Sequence, residues 1–165
     1  MSEADREDGT GRDDGAGRDD GTGREDLGAM FARVTRRLVD AEAPLLAENG
    51  LTMWEYVVLS RLALGAAPNQ LTLAREIRHD KTRLIKLLDD LQRRGLVVRR
   101  PGAADRRSYT VSLTDAGRAL HARVRAAIRA MEDGFLAGLD PAERRSLLAL
   151  LPRLAPRETP EIAED

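Results

Sequence analysis

From Leu27 onward apolar residues recur at intervals of three and four: Leu27, Met30, Phe31, Val34, Leu38 and Ala41. That spacing predicts an amphipathic helix. Leu45 and Leu46 extend the stripe, Pro44 is expected to kink or interrupt it, and Asn49-Gly50 stops it. Thr52 opens a second helix. Glu55, three residues on, completes a capping box in which side-chain oxygens satisfy two otherwise unpaired backbone donors. Leu51, just outside, is placed as the hydrophobic staple. Val58, Leu59 and Leu62 continue the buried stripe until Gly65 to Pro68 breaks it.

Asn69 is placed as the N-cap of a short helix, Gln70 to Arg78, with Leu73, Ala74 and Ile77 inward. Arg78-His79 forms the turn. Asp80 then caps a longer helix reaching about Arg94, whose core face is Leu84, Leu87, Leu88 and Leu91 and whose stop is Gly95. Leu96 to Arg100 and Ser108 to Leu113 read as a hairpin. In its second strand Tyr109, Val111 and Leu113 alternate with Ser108, Thr110 and Ser112. The polar loop between the strands runs from Pro101 to Arg107. Helix, turn, helix and hairpin, from Asn69 to Leu113, make a helix-turn-helix followed by a wing.

Thr114 caps a long helix carrying Ala116, Leu120, Val124, Ala127, Ile128, Met131 and Phe135 in register, with Gly138 after it. Asp140-Pro141-Ala142-Glu143 starts a last helix, and Leu147, Leu148, Leu150, Leu151 and Leu154 supply its buried side. The expected fold is mainly α with a small β-hairpin wing, built from six helices. Residues 27–154 are expected to form one domain, in which the helix-turn-helix and wing, 69–113, make a candidate DNA-binding lobe and 27–48 with 114–154, whose leucine stripe exceeds what a small monomer needs to cover, are candidate dimerisation helices.

Composition narrows the chemistry. With 42% hydrophobic residues but only 3% aromatics, the core has to come from Leu, Val, Ile and Ala. The absence of cysteine excludes disulfides and thiolate metal sites, and two isolated histidines argue against zinc. Neither a metal nor a cofactor is expected. No apolar run approaches about 18 residues, so no membrane helix is expected. The acidic, Gly-rich start lacks the order of a signal peptide, and a cytoplasmic, nucleoid-associated protein is expected.

Charge changes the picture more. The net charge of -1 conceals segregation. Ten acids against four arginines put residues 1–26 at -6, and four acids against one arginine put residues 155–165 at -3, which leaves +8 on residues 27–154. Eleven Lys and Arg against five acids place +6 of that between residues 71 and 113. Such a field favours a polyanionic partner. The leader repeats with a period of six from Asp8 to Glu25 and holds almost no apolar residues, so it is expected to be disordered. The acidic tail after Ala155 is expected to be loose.

The helix from Asp80 to Arg94 hides one face and offers cations on the other, as the major groove requires of a helix inserted there. Lys81, Thr82, Arg83 and Lys86 are the recognition-helix candidates. Arg83 suits base readout, because a guanidinium bridges guanine O6 and N7. Arg78 and Arg99 are placed at phosphates. The wing candidates are Asp105, Arg106 and Arg107, since arginines on a hairpin tip suit a narrow minor groove. An ordinary solvated helix face and a tight turn would explain the same residues singly; their order within one basic window favours DNA.

The segments LTMWEYVVLSRL (51–62), LAREIRHDKTRLIKLLDDLQRRGLVVRR (73–100) and DRRSYTVSLTDAG (105–117) resemble the MarR family of bacterial winged-helix regulators. The most specific part is Asp105, Arg107, Leu113, Thr114 and Gly117. The resemblance implies an intertwined homodimer and binding to double-stranded DNA with an inverted repeat. It also implies repression relieved by a small-molecule effector, commonly phenolic or anionic, and gives Arg107 the minor-groove contact. Arg78-His79 departs from the small residues common at that turn. Phe31, Met53, Trp54 and His121 are candidates for a ligand pocket, though Trp54 is also explained as a packing anchor and His121 as an exposed helix residue. No nucleophile-base pair, metal cluster or phosphate-cradling glycine loop points to an enzyme. A winged helix used only for protein contacts is the remaining alternative.

Overall fold

The computed structural model describes residues 25–101 and 109–154. Its order is α1 (Leu27–Glu48), α2 (Met53–Ala63), α3 (Gln70–Glu76), α4 (Lys81–Arg93), β1 (Val97–Pro101), β2 (Tyr109–Leu113), α5 (Asp115–Phe135) and α6 (Pro141–Leu154). The acidic leader, the wing tip and the acidic tail lie outside the described residues.

Local capping chemistry sets most helix starts. Thr52 Oγ1 accepts from Glu55 N at 3.2 Å, while Glu55 Oε2 accepts from Thr52 N at 2.7 Å, completing the capping box. Asn69, Asp80 and Thr114 cap α3, α4 and α5 with a side-chain oxygen that accepts from the backbone N–H three residues on. At α6, Asp140 Oδ1 accepts from Ala142 N and Glu143 N, and Glu143 reaches back to Asp140 N. These side chains accept from donors within three residues, which is why sequence alone locates them.

Three expectations need correction. Of the two outcomes expected at Pro44, a kink or an interruption, the interruption does not occur: α1 runs on to Glu48 with the proline inside it. A proline removes one backbone bond, and here the buried Leu46 beyond it holds the last turn on the core. α3 ends at Glu76, not Arg78, because Arg78 takes a left-handed backbone (φ 50°). Pro101, expected in the loop, is the last residue of β1 and faces Tyr109 in the antiparallel register.

The core lies between α2, α4, α5 and the hairpin. Val58, Leu59, Leu73, Leu84, Leu88, Leu91, Val97, Val111 and Val124 are fully enclosed. Ala67, read from sequence as part of a helix-breaking loop, exchanges two 2.9 Å backbone bonds with Val111 and adds an edge to the hairpin. Gly117 sits so close to Leu96 that a Cβ there would fall 2.0 Å from the Leu96 carbonyl oxygen. The contact welds the start of α5 to the start of the wing.

The leucine face of α6 was expected to be buried, yet no α6 residue is buried within the single chain. Leu148, Leu150, Leu151 and Leu154 are exposed, as are Leu27, Phe31, Val34 and Val39 of α1. Arg37 of α1 lies 5.1 Å above the Phe135 ring of α5.

Candidate nucleic-acid interface

α4 is positioned from both ends and from beneath. Asp80 Oδ1 accepts from Arg83 N at 2.9 Å and fixes its first turn. Leu84, Leu88 and Leu91 seat it on the core, with Leu87 half-buried. At the far end, Arg94 donates to Glu55 Oε1 at 2.7 Å and to the Gly50 carbonyl at 2.8 Å. Both groups flank the first turn of α2.

The basic residues of this lobe divide into two classes. Arg61 pairs with Glu76 at 2.8 Å, Arg93 with Asp90 at 2.5 Å, and Arg94 with Glu55. The Arg61 and Arg94 pairs tie α2 to α3 and to the end of α4, whereas the Arg93–Asp90 pair lies within α4. Lys81, Thr82, Arg83 and Lys86 are all exposed on α4. Among the described residues, no acid pairs with Lys81, Arg83 or Lys86. The N-terminal half of α4 therefore presents three unneutralised cations from a rigid helix.

Arg78 is exposed at the turn leading into that end. Arg99, placed at a phosphate from sequence, has a different environment: its guanidinium pairs with Asp89 of α4, and its side chain is only 16% exposed. It serves as a strut between β1 and α4. Asp105, Arg106 and Arg107 lie outside the described residues.

The four residues expected to line a ligand pocket have separate surroundings. Phe31 is exposed on α1, and Met53 packs against the core. Trp54, 43% exposed, stacks on His79 with ring centroids 4.1 Å apart. His121 is buried rather than surface-lying; its Nε2 is 3.2 Å from Ser60 Oγ and its ring stacks on Tyr56. Burial, with the nearby Arg125 charge adding to it, lowers the His121 pKa. An open groove of about 400 Å³ lies elsewhere, between Val98, Arg100, Ser112 and the first turn of α5.

Sequence reasoning missed the Glu55–Arg94 pair and the Trp54–His79 stack. The capping box had already accounted for Glu55, and nothing local links residues 39 positions apart. Among the described residues no cluster of His, Cys, Asp and Glu fits a metal ion, and no helix is long and apolar enough to cross a membrane.

Comparison with known proteins gives this geometry a context. A model of the MarR family matches residues 49–108. A Thauera aromatica protein, described as a transcriptional regulatory protein for the hcr operon, is 34% identical over 106 residues, which are 64% of this chain and 64% of that protein. The chain thus matches just under two thirds of that relative. The transcriptional repressor CouR, solved on a 23-mer DNA duplex, is 32% identical, with 78% of this chain and 92% of that one covered at a TM-score of 0.69. A MarR family protein of Mycobacterium tuberculosis, solved with DNA, is 29% identical, with 79% and 98% covered at a TM-score of 0.71; it has also been solved with p-aminosalicylic acid. On this sequence identity and shared architecture, the chain belongs to the MarR family.

Proposed function

We propose that the chain is a transcriptional regulator that binds double-stranded DNA as a homodimer at an inverted repeat, represses, and is released by a small aromatic or anionic molecule. The carrying observation is the sorting of charge around α4: Arg94 at its C-cap and Arg99 of β1 are paired with acids, while Lys81, Arg83 and Lys86 on α4 are exposed without an acid partner among the described residues. Unpaired cations on a rigid helix keep their charge for phosphates and base edges. Lys81, Thr82, Arg83 and Lys86 enter the major groove, and Arg78 lies toward phosphate. Asp105, Arg106 and Arg107 supply the minor-groove contact. The exposed apolar faces of α1 and α6 support a dimer through 27–48 and 114–154, because a leucine face left in water is normally covered by a partner. DNA-bound and ligand-bound relatives support the partner classes. The chain has no catalytic role in this reading.

Arg83 gives a base-level test. Arg83→Ala should weaken binding to the preferred duplex by about 1–3 kcal/mol and relax preference at one base pair of each half-site, as loss of a bidentate guanine contact does. Lys86→Ala should weaken binding to all duplexes alike. Competition among single-base variants of the site distinguishes the two. Unchanged preference at every position in Arg83→Ala would remove Arg83 from base readout.

A further inference from the structure

Trp54 is the single tryptophan of the chain. It occupies the second position of α2, where Val58, Leu59 and Leu62 bury the helix while Trp54 itself remains 43% exposed. Its indole lies over the His79 imidazole at 4.1 Å between centroids and 31° between planes. His79 is a consequential place to touch. It follows Arg78, whose left-handed backbone breaks α3, and it precedes Asp80, the N-cap of α4. The His79 backbone N–H closes α3 on the Ala74 carbonyl at 2.9 Å. The direction in which α4 leaves the turn is set within these three residues.

The neighbour of Trp54 holds the opposite end of the same helix. Glu55 receives Arg94, the C-cap of α4. Two adjacent residues in the first turn of α2 thus reach both flanks of α4, Trp54 by a tilted ring contact with the turn residue before its N-cap and Glu55 by an ion pair with its C-cap. A left-handed non-glycine residue persists only where its surroundings over-determine it, and the indole supplies such a constraint from outside the turn.

We propose that Trp54 is a positioning residue for DNA readout: through His79 it fixes the orientation of the N-terminal half of α4, and with it the aim of Thr82, Arg83 and Lys86. This rests on the DNA-binding reading above. A stack of this kind acts on recognition more than on overall stability. Non-specific phosphate contacts tolerate a few degrees of tilt, whereas bidentate base contacts do not.

The experiment uses the full chain and two duplexes of equal length, one selected by the protein from a random pool and one scrambled. Trp54→Ala should weaken binding to the selected duplex roughly five- to tenfold, toward the lower end of the coupling between contacting residues, and leave the scrambled duplex unchanged. Trp54→Phe, which retains a ring over His79, should recover most of the loss. His79→Ala should reproduce Trp54→Ala, and the double variant should add nothing further. His79→Ala should also shift the emission of Trp54 in the absence of DNA. An unchanged ratio of selected to scrambled binding in Trp54→Ala overturns the proposal. So does an effect of His79→Ala without one of Trp54→Ala, which would make His79 a direct contact. A wild-type chain that selects no duplex overturns the DNA reading and this proposal with it.

Discussion

Gly117→Ala should destabilise the folded chain by about 3 kcal/mol, the upper end for overpacking a well-filled site. The added Cβ would lie 2.0 Å from the Leu96 carbonyl oxygen and 3.0 Å from its carbon. Both are backbone atoms, so no side chain can swing away to make room. The region is already committed. Thr114 N donates to Leu96 O at 3.1 Å, Thr114 Oγ1 donates to Gly95 O at 2.6 Å, and Gly117 N donates to Thr114 Oγ1 at 3.0 Å. Accommodating one methyl group means separating α5 from β1 and loosening these bonds. Gly134→Ala in the same helix is the control. Nothing lies within 4 Å of the Cβ that this substitution would add, so it should be neutral or stabilise by roughly 0.5–1 kcal/mol. Urea denaturation of the two variants reads the difference. A Gly117→Ala midpoint equal to that of the wild type would show that the approach of α5 to β1 is not a constraint.

Arg94→Met should cost about 2–3 kcal/mol, somewhat below the usual range for stripping one partner from a buried pair because water reaches the arginine side. The Glu55 side chain is 6% exposed and that of Arg94 is 33%. Removing Arg94 leaves a buried carboxylate whose remaining donor among the described residues is the Thr52 backbone N–H. It also frees the C-terminal end of α4 from Gly50. Adding Glu55→Gln should restore much of the stability, since a glutamine oxygen can still accept from Thr52 N without carrying a buried charge. Chemical denaturation of the two single variants and the double variant tests this. Equal costs for Arg94→Met with and without Glu55→Gln would show that the orphaned charge is not the cause.

What could be read from the sequence follows the range of each interaction. The caps at Thr52, Asn69, Asp80 and Thr114 involve side chains three residues from their donors, and each marked its helix correctly. The leucine spacing of α4 gave its core face for the same reason. Long-range contacts were out of reach. Ala67 joins the sheet through Val111, 44 positions away, and no local signal in a Gly-Ala-Ala-Pro stretch announces a strand edge. Arg99 looked like one more cation of a basic window until the fold brought Asp89 beside it. Charge counting sees the sign of a residue but not whether a neighbour has already neutralised it. The leucines of α6 show the complementary limit. Their periodicity calls for burial, yet none of them is buried among the described residues. Trp54 was legible as an aromatic of interest, but its partner, a histidine in the turn, depended on how α2 crosses α4.

Our proposal gives the reading of phosphates and bases to the exposed cations of α4 and to the wing arginines Arg106 and Arg107. Its most direct test is the salt dependence of binding. Fluorescence anisotropy of a labelled duplex from the region upstream of the protein's own gene, titrated between about 50 and 200 mM salt, gives the slope of log affinity against log salt. Each phosphate neutralised on duplex DNA contributes about -0.9, so a dimer presenting several lysines and arginines per protomer should give a slope of roughly -4 or steeper. A slope near zero, or no binding at the low-salt end, would contradict the account.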